Sequence, residues 1–150
     1  MATITNKISI NAPLARVWEI LTNLAELAEY DPTVAAAKLI SPTQTGLGAA
    51  REVTMKDGKH WFKEKITEFE PGDRLTFELT ACNFPLEHLT HTYSFSESGG
   101  TTTVTQVMRY RPKYGLMGKL MDSAVIRSNS DQGVRAFFAG LKEHAERRRY

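Results

Sequence analysis

A single cysteine, Cys82, stands among 150 residues, so no intrachain disulfide can form. A chain without such a staple fits a reducing compartment. No apolar run approaches the ~20 residues that cross a bilayer, and the opening MATITNKISI has neither the basic start nor the apolar core of a signal peptide. These absences predict a cytoplasmic protein without stable membrane insertion. Charge of one sign is also scarce: 19 Lys and Arg against 17 Asp and Glu leave +2, too balanced for a nucleic-acid partner. The local surplus at Arg147, Arg148 and Arg149 reads as a solvated helix end whose cations complement the dipole. His88 and His91 could suggest a metal pair. Three apart on a strand they point to opposite faces, and no further Cys/His cluster accompanies them. Neither metal nor cofactor is expected. There is no repeat, linker or low-complexity tract, and the length suits one domain, 1–150, with room for a real core.

What is present falls into a recognisable order. Ile4, Ile8 and Ile10 line one side of a first strand, Thr3 to Ile10, with Asn6 on the same side. Pro13 suits the first position of a helix carrying Val17, Trp18, Leu21 and Leu24. A second short helix, Leu24 to Tyr30, stops at Asp31-Pro32, because the residue before proline avoids helical geometry. Val34 to Ile40 can form a strand, although its three alanines weaken the pattern.

Three turns then set the registers of a meander. Asp57-Gly58 places Val53 opposite Phe62, Arg51 opposite Glu64 and Ala49 opposite Ile66. Pro71-Gly72, closed by Glu70 and Asp73, puts Ile66 opposite Phe77 and Glu64 opposite Leu79. A four-residue loop around Gly99-Gly100 sets Phe95 opposite Val104 and His91 opposite Met108. All three registers bring the apolar members to one face. That inward face holds ordinary core types, among them Phe77, Leu79, Ala81, Leu89, Tyr93, Met108 and Tyr110. Arg51, Glu64, His91 and Gln106 share it and are polar. A charge buried alone costs several kcal/mol, so these groups must pair, reach a mouth or meet trapped water.

From Gly115 to Tyr150 the apolar spacing predicts one long helix, with Leu116, Leu120, Ala124, Val134, Phe137, Phe138, Leu141 and Ala145 recurring at helical steps. Its seam is apolar at both ends and polar at the centre, where Arg127 and Asp131 lie one turn apart and can pair. A cavity between helix and sheet explains both sets of inward polar groups. Gly133, inside this helix, costs about 1 kcal/mol against alanine and suggests a kink or a close approach. Trp18 and Trp61 read as core, with Trp61 near a hairpin tip that could border a mouth. Glycines on both sides of Leu116 permit movement. Cys82, one step beyond Ala81, lies on the outward parity and reads as an inert small residue.

The matching pieces are Asn11-Ala12-Pro13 with Val17-Trp18, Tyr30-Asp31-Pro32, Gly46-Leu47-Gly48, Ile66 to Gly72 (ITEFEPG), Gly100-Thr101-Thr102, and a helix ending Leu141 to Glu146 (LKEHAE). In this order and spacing they resemble the helix-grip fold of the START and birch-pollen-allergen-like superfamily, SRPBCC, and within it the polyketide cyclase/dehydrase branch. The resemblance implies an α+β domain: a curved antiparallel sheet of about seven strands wrapped around a long C-terminal helix, with two short helices after the first strand. It also implies a deep, mainly apolar pocket that in relatives holds lipids, sterols, polyketides, hormones or flavonoids. The motifs belong to the scaffold, and none carries cyclase chemistry across by match.

Three functions follow as expectations. The first is binding of a hydrophobic small molecule, with Phe77, Leu79, Tyr93, Met108, Tyr110, Leu116, Leu120 and Ala124 as wall. Arg51, Glu64, His91, Gln106, Arg127 and Asp131 would orient its polar atoms. For Arg51–Glu64 and Arg127–Asp131, purely structural ion pairs are the alternative. The second is a metal-free enzyme of cyclase or dehydratase type, in which His91 or Glu64 moves a proton and Arg127 stabilises an oxyanion. A histidine satisfied within the core is the competing reading of His91. The third is a protein-interaction module without ligand. Oligomeric state is left open, a dimer included.

Overall fold

The computed structural model describes residues 2–112 and 132–147. Strand β1 (Ala2–Ile10) leads into α1 (Leu14–Thr22), a 3₁₀ turn (Leu24–Glu26) and α2 (Leu27–Tyr30). Then come β2 (Val34–Leu39), β3 (Ala50–Met55), β4 (Trp61–Glu70), β5 (Arg74–Cys82), β6 (Leu86–Ser98) and β7 (Thr101–Pro112). The C-terminal helix, α3, is described over residues 132–146. All seven strands join one antiparallel sheet in the order β1-β7-β6-β5-β4-β3-β2, so the meander runs unbroken and β1 returns to pair with β7. This is the expected α+β helix-grip architecture.

Pro13 stands at the N-cap of α1 rather than at its first residue. The Pro13 carbonyl accepts from Arg16 and Val17, and the Leu14 N–H donates to Glu97 Oε2 at 2.8 Å. Thus β6 supplies a carboxylate where the helix dipole favours one.

The registers set by the turns hold at the middle of the sheet. Arg51 faces Glu64, Val53 faces Phe62, Ile66 faces Phe77, His91 faces Met108 and Phe95 faces Val104. The Gly99-Gly100 turn is tighter than the expected four-residue loop, because Ser98 pairs with Thr101. Both glycines have positive φ, as a two-residue hairpin turn of this twist demands.

Two bulges on β4–β5 break the simple alternation. An extra residue at Thr67 turns Phe69 to the inner face, opposite Leu75, where its ring meets Trp18 edge-on at 5.2 Å. A second, at Thr80, pairs Ala81 with Lys63 and Cys82 with Phe62. The inward placement of Ala81 and the outward placement of Cys82 are therefore reversed. A bulge adds one residue to one strand and flips everything beyond it, which strict alternation cannot anticipate. The Cys82 thiol donates to the Phe84 carbonyl at 3.3 Å.

The main core forms where α3 meets α1, α2 and the sheet. Val134, Phe137, Phe138, Leu141 and Ala145 are all buried, together with Val17, Leu21, Tyr30, Leu75 and Tyr93. Phe137 lies between Tyr30 and Tyr93, at ring separations of 5.9 and 6.0 Å. Polar contacts fix the C-terminal end of α3. His144 Nε2 lies 2.9 Å from Glu26, Lys142 donates to the Ser9 carbonyl, and Glu146 accepts from the Asn11 N–H. Gly140 meets the backbone of Tyr30 so closely that an added Cβ would lie 1.8 Å from its carbonyl oxygen. The close-approach glycine of this helix is thus Gly140. Around Gly133, among the described residues, nothing lies within 4 Å of such an atom.

Candidate functional site

Strand alternation carries Arg51 and Glu64 to the inner face, where each is only 5% exposed. Arg51 Nε and Nη2 both reach Glu64 Oε2 at 2.7 Å, and Nη1 donates to the Leu24 carbonyl at 3.1 Å. The guanidinium also lies 4.7 Å from the centre of the Phe77 ring. One basic side chain thereby ties the 3₁₀ turn to the sheet. Desolvation opposes the Arg51 charge, but the adjacent Glu64 carboxylate more than offsets it and the pKa moves up.

A second polar group crosses β6, β7 and β1 in a row. Tyr93 faces Gln106 across one ladder, and Gln106 faces Asn6 across the next. Gln106 Nε2 donates to the Tyr93 hydroxyl at 3.0 Å. Gln106 Oε1 and Asn6 Nδ2 are buried and have no hydrogen-bond partner among the described residues. Leaving such an atom unpaired costs about 1–3 kcal/mol, so two on facing residues call for an explanation. Burial drives the Tyr93 hydroxyl pKa well above its usual value, so it stays a neutral donor. Tyr30, at the end of α2, is raised likewise by burial, with the nearby Arg51 charge opposing.

His91 lies beside this group on β6, partly buried, between Phe77 and Met108. Burial lowers its pKa from the ordinary 6.5; the Glu64 charge opposes that shift and Arg51 reinforces it. The unfolded chain therefore binds more protons as pH falls through 6.5 toward the lower folded value, and stability drops over that interval. We expect urea denaturation at a series of pH values to show this decline. His91→Gln should flatten it, whereas an unchanged slope in the variant would assign the decline to other groups.

Apolar walls flank these polar residues. On one side is the main core. On the other, Ile4, Met108 and Tyr110 make a separate buried cluster, joined by Ala2, Leu86 and Leu89. Of the inward-pointing residues, Leu75, Phe77, Tyr93 and Val104 are buried, and Leu79, Leu89 and His91 are half-buried. The structure thus brings together Arg51, Glu64, Phe77, Leu79, His91, Tyr93, Gln106, Met108 and Tyr110 on one face. Leu116, Leu120, Ala124, Arg127 and Asp131 lie outside the described residues. Asn6 and Tyr30 belong to the cluster but escaped the sequence-based site. Asn6 carried a usable signal, its parity with Ile4 and Ile8.

A groove of about 190 Å³ opens elsewhere, at the junction of α2 and α3, lined by Tyr30, Pro32, Lys56, Gly140, His144 and Arg147 among others. It lies beside the helix and is distinct from the space expected between helix and sheet.

Comparison with known proteins fits this geometry. A family model described as "Polyketide cyclase / dehydrase and lipid transport" matches residues 1–146. Among solved structures, TTHA0849 from Thermus thermophilus superimposes with a TM-score of 0.80 at 19% identity, covering 96% of this chain and 97% of that one. Ara h 8.0201 gives 0.78 at 14% identity, with coverage of 96% and 97%. Ginseng major latex-like protein 151 from Panax ginseng gives 0.76 at 13%, with coverage of 97% and 98%. At these identities the likeness shows the shared fold. No match was found among curated protein sequences. The family match over nearly the whole chain, on a sheet that grips its C-terminal helix, makes this protein a member of the polyketide cyclase/dehydrase and lipid transport family.

Proposed function

We propose that the protein, as one domain spanning the chain, binds a hydrophobic small molecule of lipid, polyketide or aromatic type between the inner face of the sheet and its C-terminal helix. The observation that carries this reading is the division of the inner face. Two apolar clusters are separated by a belt of polar side chains, next to which Leu79, Leu89 and His91 are only half-buried. A site with apolar walls and a few convergent polar groups suits an amphiphilic guest. Phe77, Leu79, Met108 and Tyr110 supply wall in this reading, and Glu64, His91, Tyr93 and Gln106 face polar atoms. Arg51 lines the same site, its fork already engaged by Glu64 and Leu24. On sequence grounds Leu116, Leu120 and Ala124 add wall, and Arg127 and Asp131 add polar groups. The lone cysteine supports a cytoplasmic setting, and among the described residues no helix is long and apolar enough to cross a membrane.

Filling the accessible end tests the proposal. Leu79→Trp should weaken uptake of the apolar probe beta-methylnaphthalene by about tenfold or more, since overpacking a site removes its room while costing the fold only about 1–3 kcal/mol. The measurement is an NMR titration of folded variant and parent. Equal affinity in both would remove the inner face as the binding site.

A second reading, proton-transfer catalysis, is favoured by one observation: among the described residues the His91 ring makes no hydrogen bond, and burial keeps it neutral near pH 7. A neutral imidazole that feels a carboxylate's charge can serve as a general base. That reading requires bound substrate within hydrogen-bond reach of His91.

A further inference from the structure

The facing amides of Asn6 and Gln106 carry more than the general reading of the site. They are register partners on neighbouring strands, with side chains directed to the same face and Cβ atoms roughly 5 Å apart by the geometry of such pairs. Gln106 is 2% exposed. Its Nε2 is engaged by Tyr93, while its Oε1, an acceptor, has no partner among the described residues. Across the ladder Asn6 Nδ2, a donor, has none there either. The two atoms are of opposite kind and are not bonded to each other, so one group that both gives and takes a hydrogen bond satisfies both. A hydroxyl does this; a carbonyl or ether oxygen only accepts, and an ammonium only donates. Amide oxygen and nitrogen can exchange places by rotation. With both amides turned over together a hydroxyl still serves, because it can reverse its own polarity. Tyr93 adds to the same row. Its oxygen accepts from Gln106, which leaves its own O–H free to donate among the described residues.

We propose that Asn6, Gln106 and Tyr93 form a hydroxyl-recognition subsite, and that the guest carries an alcohol or phenol hydroxyl on a largely apolar body. The hydroxyl donates to Gln106 Oε1 and accepts from Asn6 Nδ2, and its body lies along the wall beside Met108 and Leu79. This inference rests on the binding function proposed above and specifies the chemistry of its ligand. It also distinguishes the two polar clusters on the inner face. Arg51 and Glu64 satisfy each other, whereas among the described residues the amide row has capacity to spare.

Three probes of nearly equal shape separate the possibilities: beta-naphthol, beta-methoxynaphthalene and beta-methylnaphthalene. The first donates and accepts, the second only accepts, and the third does neither. Dissociation constants from NMR titration of the full chain should place beta-naphthol about tenfold or more below both others, because a site built around a hydroxyl rejects analogues that leave its polar atoms unpaired. In Gln106→Met the ratio of beta-naphthol to beta-methylnaphthalene affinity should fall to near one. Asn6→Val, on the edge strand β1, should lower the same ratio and serves if the Gln106 variant does not fold. Equal binding of all three probes by the parent protein would overturn the subsite and leave the apolar pocket standing. A naphthol preference that persists in both variants would overturn it as well. Failure of all three probes to bind would overturn the pocket and the subsite together.

Discussion

Gly140→Ala is expected to destabilise the protein by about 3 kcal/mol, the upper part of the usual range for forcing extra volume into a packed contact. The new methyl would lie 1.8 Å from the Tyr30 carbonyl oxygen, 2.9 Å from its carbon and 3.2 Å from Pro32 Cδ. Backbone atoms at the end of α2 cannot rotate aside as a side chain would, so α3 must shift away from Tyr30. Alanine would otherwise favour the helix by about 1 kcal/mol, and the collision must exceed that gain. Scanning calorimetry should show the midpoint falling by roughly 6–12 °C for a chain of this size. Gly133→Ala is the matched control. It has open space around the added atom among the described residues and should be neutral or stabilise by up to about 1 kcal/mol. If Gly140→Ala also stabilised, the close docking of α3 on α2 would be wrong.

The other large effect concerns the buried ion pair. Glu64→Leu leaves the Arg51 guanidinium, 5% exposed, without its counter-charge. Breaking a buried pair from one side typically costs about 3–5 kcal/mol, because the remaining charge stays desolvated and uncompensated. Replacing both partners, as Arg51→Met with Glu64→Leu, should recover most of that loss, since apolar residues of similar volume often substitute a buried pair at little cost. The Leu24 carbonyl, which Arg51 also satisfies, would keep the recovery incomplete. Denaturant titration of the two single variants and the double would give the coupling directly. Additive losses would mean that the pair is not the unit that its geometry indicates.

Much of this fold is legible in the chain because its turns are specific. Asp57-Gly58 and Gly99-Gly100 allow few closures, so pairings such as Arg51 with Glu64 and His91 with Met108 follow from counting. The stripe Val134, Phe137, Phe138, Leu141, Ala145 identifies the buried side of α3 by period alone. Bulges are different. Nothing in Thr67 or Thr80 marks an inserted residue, and each shows only in the pairing of β4 with β5, where it moves Phe69 and Cys82 inward. Glycine identity is similarly mute about purpose. Gly133 and Gly140 share one helix, and only tertiary contact shows that Gly140 is the one against backbone. Inward parity correctly places Arg51, Glu64, His91 and Gln106 on one face of the sheet. The same rule places Asn6 on that face but not opposite Gln106, because β1 pairs with β7 in a register that no hairpin turn sets.

The most direct measurement is a backbone-amide NMR titration of the intact protein with beta-methylnaphthalene, a probe without polar atoms. Saturable shifts at Leu79, Leu89, His91, Tyr93 and Gln106 are the predicted result, placing the guest on the hollow side of the strands. Shifts restricted to Lys56, Gly140 and His144 around the outer groove, or no shifts at all, would contradict it.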